Sequence, residues 1–221
     1  MPAPLLDATD PWIRWDWVGS HVDLILADLT QHIELTAIAV GVGLLIAIPI
    51  GVLAWRYQGS RGPVLGLAGG LYTIPSLALF ALLVPWTGLT VLTAEIGLVA
   101  YTLLILVRNI VVGLDGVPLD VRDAALGMGY RPLRQLLRVD LPLALPVIFA
   151  GLRIATVTTI GLITITALIG EGGLGQLLYD GLQRDFRTPL VVGATLSVAL
   201  AVVADVSLAS VQRLLTPWRA A

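Results

Sequence analysis

The chain has 221 residues, of which 57% are hydrophobic and only 13% charged, with a mean hydropathy of +0.91. A soluble domain carries about 25% charged residues, so this composition excludes a water-soluble globule and specifies an integral membrane protein of one domain, or at most two. There is no cysteine, which excludes disulfides, thiol catalysis and cysteine-held metals, and the net charge of −2 sets the acids against thirteen basic residues, all of them arginine.

In chain order, residues 1–32 lack the basic start and apolar core of a signal peptide. They are expected to form an extracytoplasmic, interfacial segment. Trp12, Trp15 and Trp17 suit the headgroup layer. The stretch HVDLILADLTQHIELT reads as a short interfacial helix ahead of the first span. A bilayer core of about 30 Å needs roughly 20 apolar helical residues. Five stretches meet that need, at about residues 33–55, 64–86, 94–112, 141–169 and 189–211, and residues 216–221 form a tail. Gly41, Gly43, Pro49 and Gly51, with Gly66, Gly69 and Gly70, serve either close helix packing or hinges.

The arginines orient these spans. Arg56, Arg61, Arg108, Arg122, Arg131, Arg134, Arg138, Arg213 and Arg219 fall on one side, and only Arg14, Arg184 and Arg187 on the other. Basic residues stay on the cytoplasmic side, so the N-terminus is expected outside and the C-terminus in the cytoplasm. There is no internal repeat, which argues against an inverted-repeat secondary transporter. Both histidines, His21 and His32, lie at or before the first span, and the span acids are scattered. That distribution argues against a membrane-embedded enzyme: no catalytic residue and no metal site is expected.

The longest cytoplasmic stretch is RDAALGMGYRPLRQLLRVDLPLALP, from Arg122 to Pro146. Pro118 suits a helix start, Asp120 and Asp123 favour its positive end, and Gly127 and Gly129 stop it. Pro132 then starts a second short helix that ends at Asp140-Leu141-Pro142. Such a helix–turn–helix faces either anionic headgroups or a protein partner, and composition does not choose between them.

The spacing within this stretch resembles the EAA loop of ATP-binding-cassette importer permeases: Glu-Ala-Ala, three residues, Gly, nine residues, Ile, one residue, Leu-Pro. Here it reads Asp123-Ala124-Ala125, Gly129, Val139 and Leu141-Pro142, with every gap kept and Asp and Val in place of Glu and Ile. The resemblance implies an all-α integral membrane protein, with five transmembrane helices of the type I importer permease core over residues 33–215 and a cytoplasmic coupling helix in residues 116–142. It implies that this loop docks on an ATPase and carries its closure into the membrane. The coupling residues are then Asp123, Ala124, Ala125, Met128, Gly129, Tyr130, Arg131, Val139, Leu141 and Pro142, with the flanking arginines expected to meet acids on the ATPase. The implied partners are two ATP-binding-cassette ATPase subunits, a second copy or sibling permease (homodimer or heterodimer), an extracytoplasmic substrate-binding protein and the lipid bilayer, with no nucleic acid. The chain itself is expected to bind no cofactor, ATP and magnesium staying on the partners, and to reside in the bacterial plasma (inner) membrane.

Three further stretches, LYTIPSLALFALLVP, LVRNIVVGLDGVP and ITALIGEGGLGQLLYDGL, resemble the osmoprotectant branch of these permeases. That branch implies glycine betaine, carnitine, choline or proline betaine as solute. An importer for another small solute such as methionine remains the alternative. Glu171, Asp180 and Asp185 lie in the longest outer loop, where a binding protein would dock. Candidate path residues are Tyr72, Thr73, Ser76, Thr156, Thr159 and Thr164. The span hydroxyls either line a path or bond back to their own helix. The span aromatics Tyr72, Phe80, Tyr101 and Phe149 are read as core packing ahead of a cation cage. Arg153 and Asp205 are charges within spans, and a charge at that depth needs a partner or water; a pair between them is one solution.

Overall fold

The computed structural model describes residues 11–219, which are α-helical with no strand among them. The helices are α1 (Trp15–Ser20), α2 (Val22–Arg56), α3 (Gln58–Thr73), α4 (Ser76–Thr87), α5 (Val91–Asp115), α6 (Leu119–Gly127) and α7 (Pro132–Gln135). A π turn (Leu136–Asp140) leads into α8 (Leu141–Thr166), followed by α9 (Leu174–Gln183) and α10 (Arg187–Leu215).

Among the described residues, four helical runs are long and apolar enough to cross a membrane: α2, α5, Pro132–Ile169 and α10. The pair α3 and α4 makes a fifth if it is one broken span. Five spans were expected, but the second is interrupted where the sequence suggested an unbroken helix. Its cause is Pro75. A proline pushes the preceding residue out of the α region and contributes no N–H to a helical ladder. Ile74 and Pro75 are accordingly extended, at ψ 126° and 133°.

A second expectation is corrected at the N-terminus. HVDLILADLTQHIELT is not a separate interfacial helix, because α2 runs unbroken from Val22 to Arg56. No glycine or proline interrupts it before Gly41, and Ile25 and His32 on this stretch are already buried.

Two compact units are built from these helices. The first draws on Met1–Ala39, Pro75–Leu98 and Thr158–Val203. Its apolar centre is Ile25, Leu174 and Leu177, with Trp17, Val18, Leu29, Val192, Leu196 and Leu200 packed around them. A polar knot closes the chain between α8 and α9 onto α2. Gln31 Nε2 donates to Glu171 Oε2 (2.8 Å), and the Gly173 N–H donates to Gln31 Oε1 (3.0 Å). The buried His32 places Nε2 at 3.1 Å from the Ile160 carbonyl. Close approach explains the glycines here: a Cβ on Gly175 would lie 2.5 Å from Thr164 Cα, and one on Gly97 2.3 Å from the Phe80 ring.

The second unit comprises Val40–Ile74, Val99–Val157 and Ala204–Ala221. Ala47, Leu106, Val107, Ile110, Leu114, Ala144, Ile148 and Ala155 form its buried core. Small residues let α2, α5 and α8 meet closely, as expected for helices that associate by packing in lipid. Gly43 abuts Thr102, Gly51 abuts Ile110, Gly113 abuts Ala144 and Gly151 abuts Asn109. Of the glycines singled out in the sequence, Gly43 and Gly51 are therefore packing glycines. At Gly41, Gly66, Gly69 and Gly70 an added Cβ meets nothing of the chain itself within 4 Å.

Because the obstacle at Gly175 is backbone, Gly175→Ala is expected to cost about 1–3 kcal/mol, measured as a lower melting temperature of the detergent-purified protein. Gly161→Ala, where the added methyl meets open space, is expected to leave that temperature unchanged or raised.

Candidate functional site

The candidate site is the polar excursion between α5 and α8, all of it in the second unit. After α5, Pro118 adopts φ −57° and ψ 141° and caps α6, so that Leu119 rather than the proline is the first helical residue. Helix α6 ends in a Schellman motif. The Tyr130 N–H donates to the Ala125 carbonyl (3.1 Å) and the Gly129 N–H to the Leu126 carbonyl (2.9 Å). Gly129 occupies the left-handed position at φ 78°, where a side chain is strained. Gly127 remains inside the helix. The stop lies in one glycine, not two.

The second short helix does not end at Asp140-Leu141-Pro142. One turn of α7 passes through the π turn and continues directly as α8. The Leu141 N–H reaches back five residues to the Leu136 carbonyl. Pro142 has no N–H to close the next ordinary turn, and a widened turn of this kind accommodates such a loss.

One guanidinium ties the excursion to the rest of the unit. Arg122 Nε donates to Asp140 Oδ1 at 2.9 Å, and the side chains are 18% and 3% exposed. Its second nitrogen donates to the Leu114 carbonyl at the end of α5. Its carbon stacks 4.9 Å from the centre of the Trp55 ring, near the end of α2. Arg122 is thus an internal brace, not a charge left for an ATPase as the sequence suggested. Arg134 lies 4.6 Å over the Tyr130 ring, and Arg131 and Arg138 are exposed. Trp55 and Asp140 are the members sequence reasoning missed. Their only signal was an acid placed between Val139 and Leu141, at a position the motif leaves open.

The other coupling residues divide by exposure. Asp123, Ala124 and Met128 are exposed, with Met128 at 69%; Tyr130, Val139, Leu141 and Pro142 are half-buried. Ala125 is buried at 1% and faces its own unit, so its small size serves internal packing, not the outer face. Leu119, Leu126, Leu133 and Leu137 are exposed beside Met128. Five large apolar side chains, each more than half exposed, on so short an excursion mark an interaction surface.

The candidate path residues are more dispersed. Tyr72 is exposed and meets Tyr101 edge to face, and the Thr73 hydroxyl donates to the Gly70 carbonyl. Ser76 opens α4 and is half-buried. The Thr156 and Thr164 hydroxyls donate to the Leu152 and Gly161 carbonyls of their own helix, and Thr159 is buried. Arg153 and Asp205 do pair. Nε and a terminal nitrogen donate to the two carboxylate oxygens, each at 2.7 Å, with both side chains about one-third exposed (33% and 36%). In the outer loop, Glu171 is committed to Gln31, while Asp185 is exposed. Glu95, which hydropathy places at a span edge, is a buried acid on α5. Among the described residues no group of three or more His, Cys, Asp or Glu side chains is placed to hold a metal ion.

The family model for the inner membrane component of binding-protein-dependent transport systems matches residues 39–217. The chain belongs to this family. Its relatives include the osmoprotectant import permease protein OsmW of Salmonella typhimurium, 44% identical over 87% of this chain and 92% of the relative. The choline transport system permease protein OpuBB of Bacillus subtilis is 37% identical over 85% of this chain and 86% of its own. A solved chain of the MetNI methionine ABC transporter, in inward-facing conformations, matches with a TM-score of 0.82 over 89% of this chain and 98% of that one. Its identity is 21%, so that likeness speaks for the fold alone. As a family member the chain is a multi-pass inner-membrane component of a transport system, and its part in that system is transport.

Removing one member of a buried ion pair leaves an uncompensated charge, at about 3–5 kcal/mol. Asp140→Ala is therefore expected to destabilise the purified protein by about that much, and Arg122→Ala combined with it to recover part of the loss. Additive losses in thermal melts of the two singles and the double would show that the pair is not coupled.

Proposed function

We propose that this chain is the transmembrane subunit of an ATP-driven importer of quaternary-amine osmoprotectants: glycine betaine, carnitine, choline or proline betaine. The observation that carries this reading is similarity along most of the chain to permeases named for osmoprotectant and choline transport, at 44% and 37% identity. The methionine alternative has only a likeness of fold behind it, at 21% identity.

On this reading the subunit's contribution is mechanical. ATP and magnesium bind two partner ATPase subunits, and this chain holds neither. Its excursion between α5 and α8 offers each ATPase the exposed apolar side chains Leu119, Leu126, Met128, Leu133 and Leu137, with Arg131 and Arg138 exposed on the same stretch. Apolar anchors inside a charged rim are the usual anatomy of a protein interface. ATP-driven closure pulls on that face. The excursion moves as a body because its first helix is closed by the Schellman motif and braced by Arg122. Displacement then reaches α5 through Leu114, α8 through Asp140 and α2 through Trp55. Two permeases, identical or siblings, enclose the path, and a separate extracytoplasmic protein delivers the solute. The arginine distribution supports an outside N-terminus and a cytoplasmic C-terminus.

Uptake of labelled glycine betaine, choline and carnitine tests the reading, in a strain lacking other carriers and supplied with the partner ATPase and binding protein. At least one is expected to accumulate in an ATP-dependent manner. Entry of methionine while none of the three enters would overturn the osmolyte assignment. For the coupling face, Met128→Glu is expected to cut ATP hydrolysis stimulated by the loaded binding protein by about tenfold or more, as loss of an interface anchor does, with membrane yield unchanged. Unchanged stimulation would remove this face from the coupling mechanism.

A further inference from the structure

A quaternary ammonium group has no N–H, so hydrogen-bond acceptors cannot grip it as they grip a lysine. It is held by aromatic ring faces and by partial negative charge. A helix that stops inside the membrane supplies the second, since its last carbonyls carry the negative end of the dipole. Broken helices of transporters present cations with this end. Helix α3 stops at Thr73, within the α3–α4 pair that reads as one broken span.

The residues at that stop supply the ring. Tyr72 is 41% exposed in the last turn of α3, whereas Tyr101 on α5 is 5% exposed. The two rings meet edge to face, with centroids 5.7 Å apart and planes at 72°. The Tyr101 hydroxyl donates to the carbonyl of Ile74, the first residue past the helix. Tyr101 thus holds both the neighbouring ring and the broken backbone, and Tyr72 keeps accessible ring surface. Gly69, one turn before Tyr72 on the same helix face, leaves space open there: an added Cβ would meet nothing within 4 Å.

Resting on the osmolyte reading above, we propose that Tyr72, displayed at the break after α3 and steadied by Tyr101, is a contact for the quaternary ammonium group of the solute during its passage. A ring suits this task better than a carboxylate. A solute in transit must be recognised and released, and a single cation–π contact is weak enough to let it go.

The test uses the permease assembled with its ATPase and binding-protein partners in proteoliposomes, with labelled choline, glycine betaine and carnitine at subsaturating concentration. For the amine that the wild type carries, Tyr72→Leu is expected to lower the initial uptake rate about tenfold, and Tyr72→Phe to keep it within about twofold. Tyr101→Phe keeps the ring but loses the hydroxyl anchor, and its rate is expected to fall between these two. Assembly with the ATPase subunits, read by co-purification and size-exclusion chromatography, is compared across the four proteins so that uptake rates are scaled to assembled complex. Wild-type uptake by Tyr72→Leu overturns the proposal, as does an equal loss in Tyr72→Leu and Tyr72→Phe, which assigns the residue to its hydroxyl or to packing. If Tyr72→Leu does not assemble, Tyr72→Trp decides: a rate held or raised supports a ring-face contact, and a lost rate refutes it. Should the wild type carry none of the three amines, the osmolyte reading itself has failed and this inference falls with it. Wild-type uptake with an indifferent Tyr72→Leu sinks the inference alone.

Discussion

The second unit depends on one guanidinium. Arg122 satisfies a nearly buried carboxylate, a helix-terminal carbonyl and an aromatic face together, and so joins the ends of α2 and α5 and the start of α8 to the first turn of α6. The buried acid would be costly to leave without a partner, and the Leu114 carbonyl, which already accepts the Val117 N–H, gains a second donor. Arginine can serve all three because its planar fork donates in two directions while its face stacks. A lysine would supply the charge without the fork or the face. The excursion is rigid for this reason, and on the proposed function rigidity is what it needs, since a loop that yields under load transmits no displacement.

The same brace changes the meaning of the sequence pattern. The spacing Asp-Ala-Ala, Gly, Val, Leu-Pro suggested a partner, yet much of it has an internal reason. Ala125 is small because it is buried, Gly129 because it is left-handed, and Leu141-Pro142 sits where a π turn absorbs the proline's missing donor. Legible in the sequence were therefore the first short helix, its stop at Gly129 and the start of the second at Pro132. Asp140 and Trp55 were not legible, because they join the brace through contacts eighteen or more residues away and no periodicity reports such pairing. Exposure was equally hidden: the five apolar side chains of the outer face look in sequence like ordinary helix residues.

Hydropathy located the spans well and their continuity poorly. It averages over a window, so it overlooks the single proline that interrupts the second span and adds a boundary before the first that α2 ignores. The charged pair Arg153–Asp205 was accessible by a different logic. Two opposite charges on different spans have few alternatives to each other even where the sequence sets Asp205 nearer a span end than Arg153, and the structure joins them through two hydrogen bonds. A bidentate pair that keeps one-third of each side chain exposed cannot face acyl chains cheaply. Water or a second subunit has to meet it. That requirement favours a surface turned toward the assembly's interior.

Exposure of this kind is the common thread of the functional residues. The apolar face of α6 and α7, the Arg153–Asp205 pair and Tyr72 each leave surface uncovered that a lone chain has no reason to leave. In a soluble protein they would be liabilities. Here they are of three different chemistries: an apolar surface on the α6–α7 excursion, a charged pair between α8 and α10 and an aromatic ring at a helix break. A single kind of neighbour would not satisfy all three, because lipid rejects the charges and an aqueous lumen gains nothing from the leucines. On the proposed function, an ATPase, a second subunit and a solute bearing a quaternary ammonium group would supply one neighbour for each.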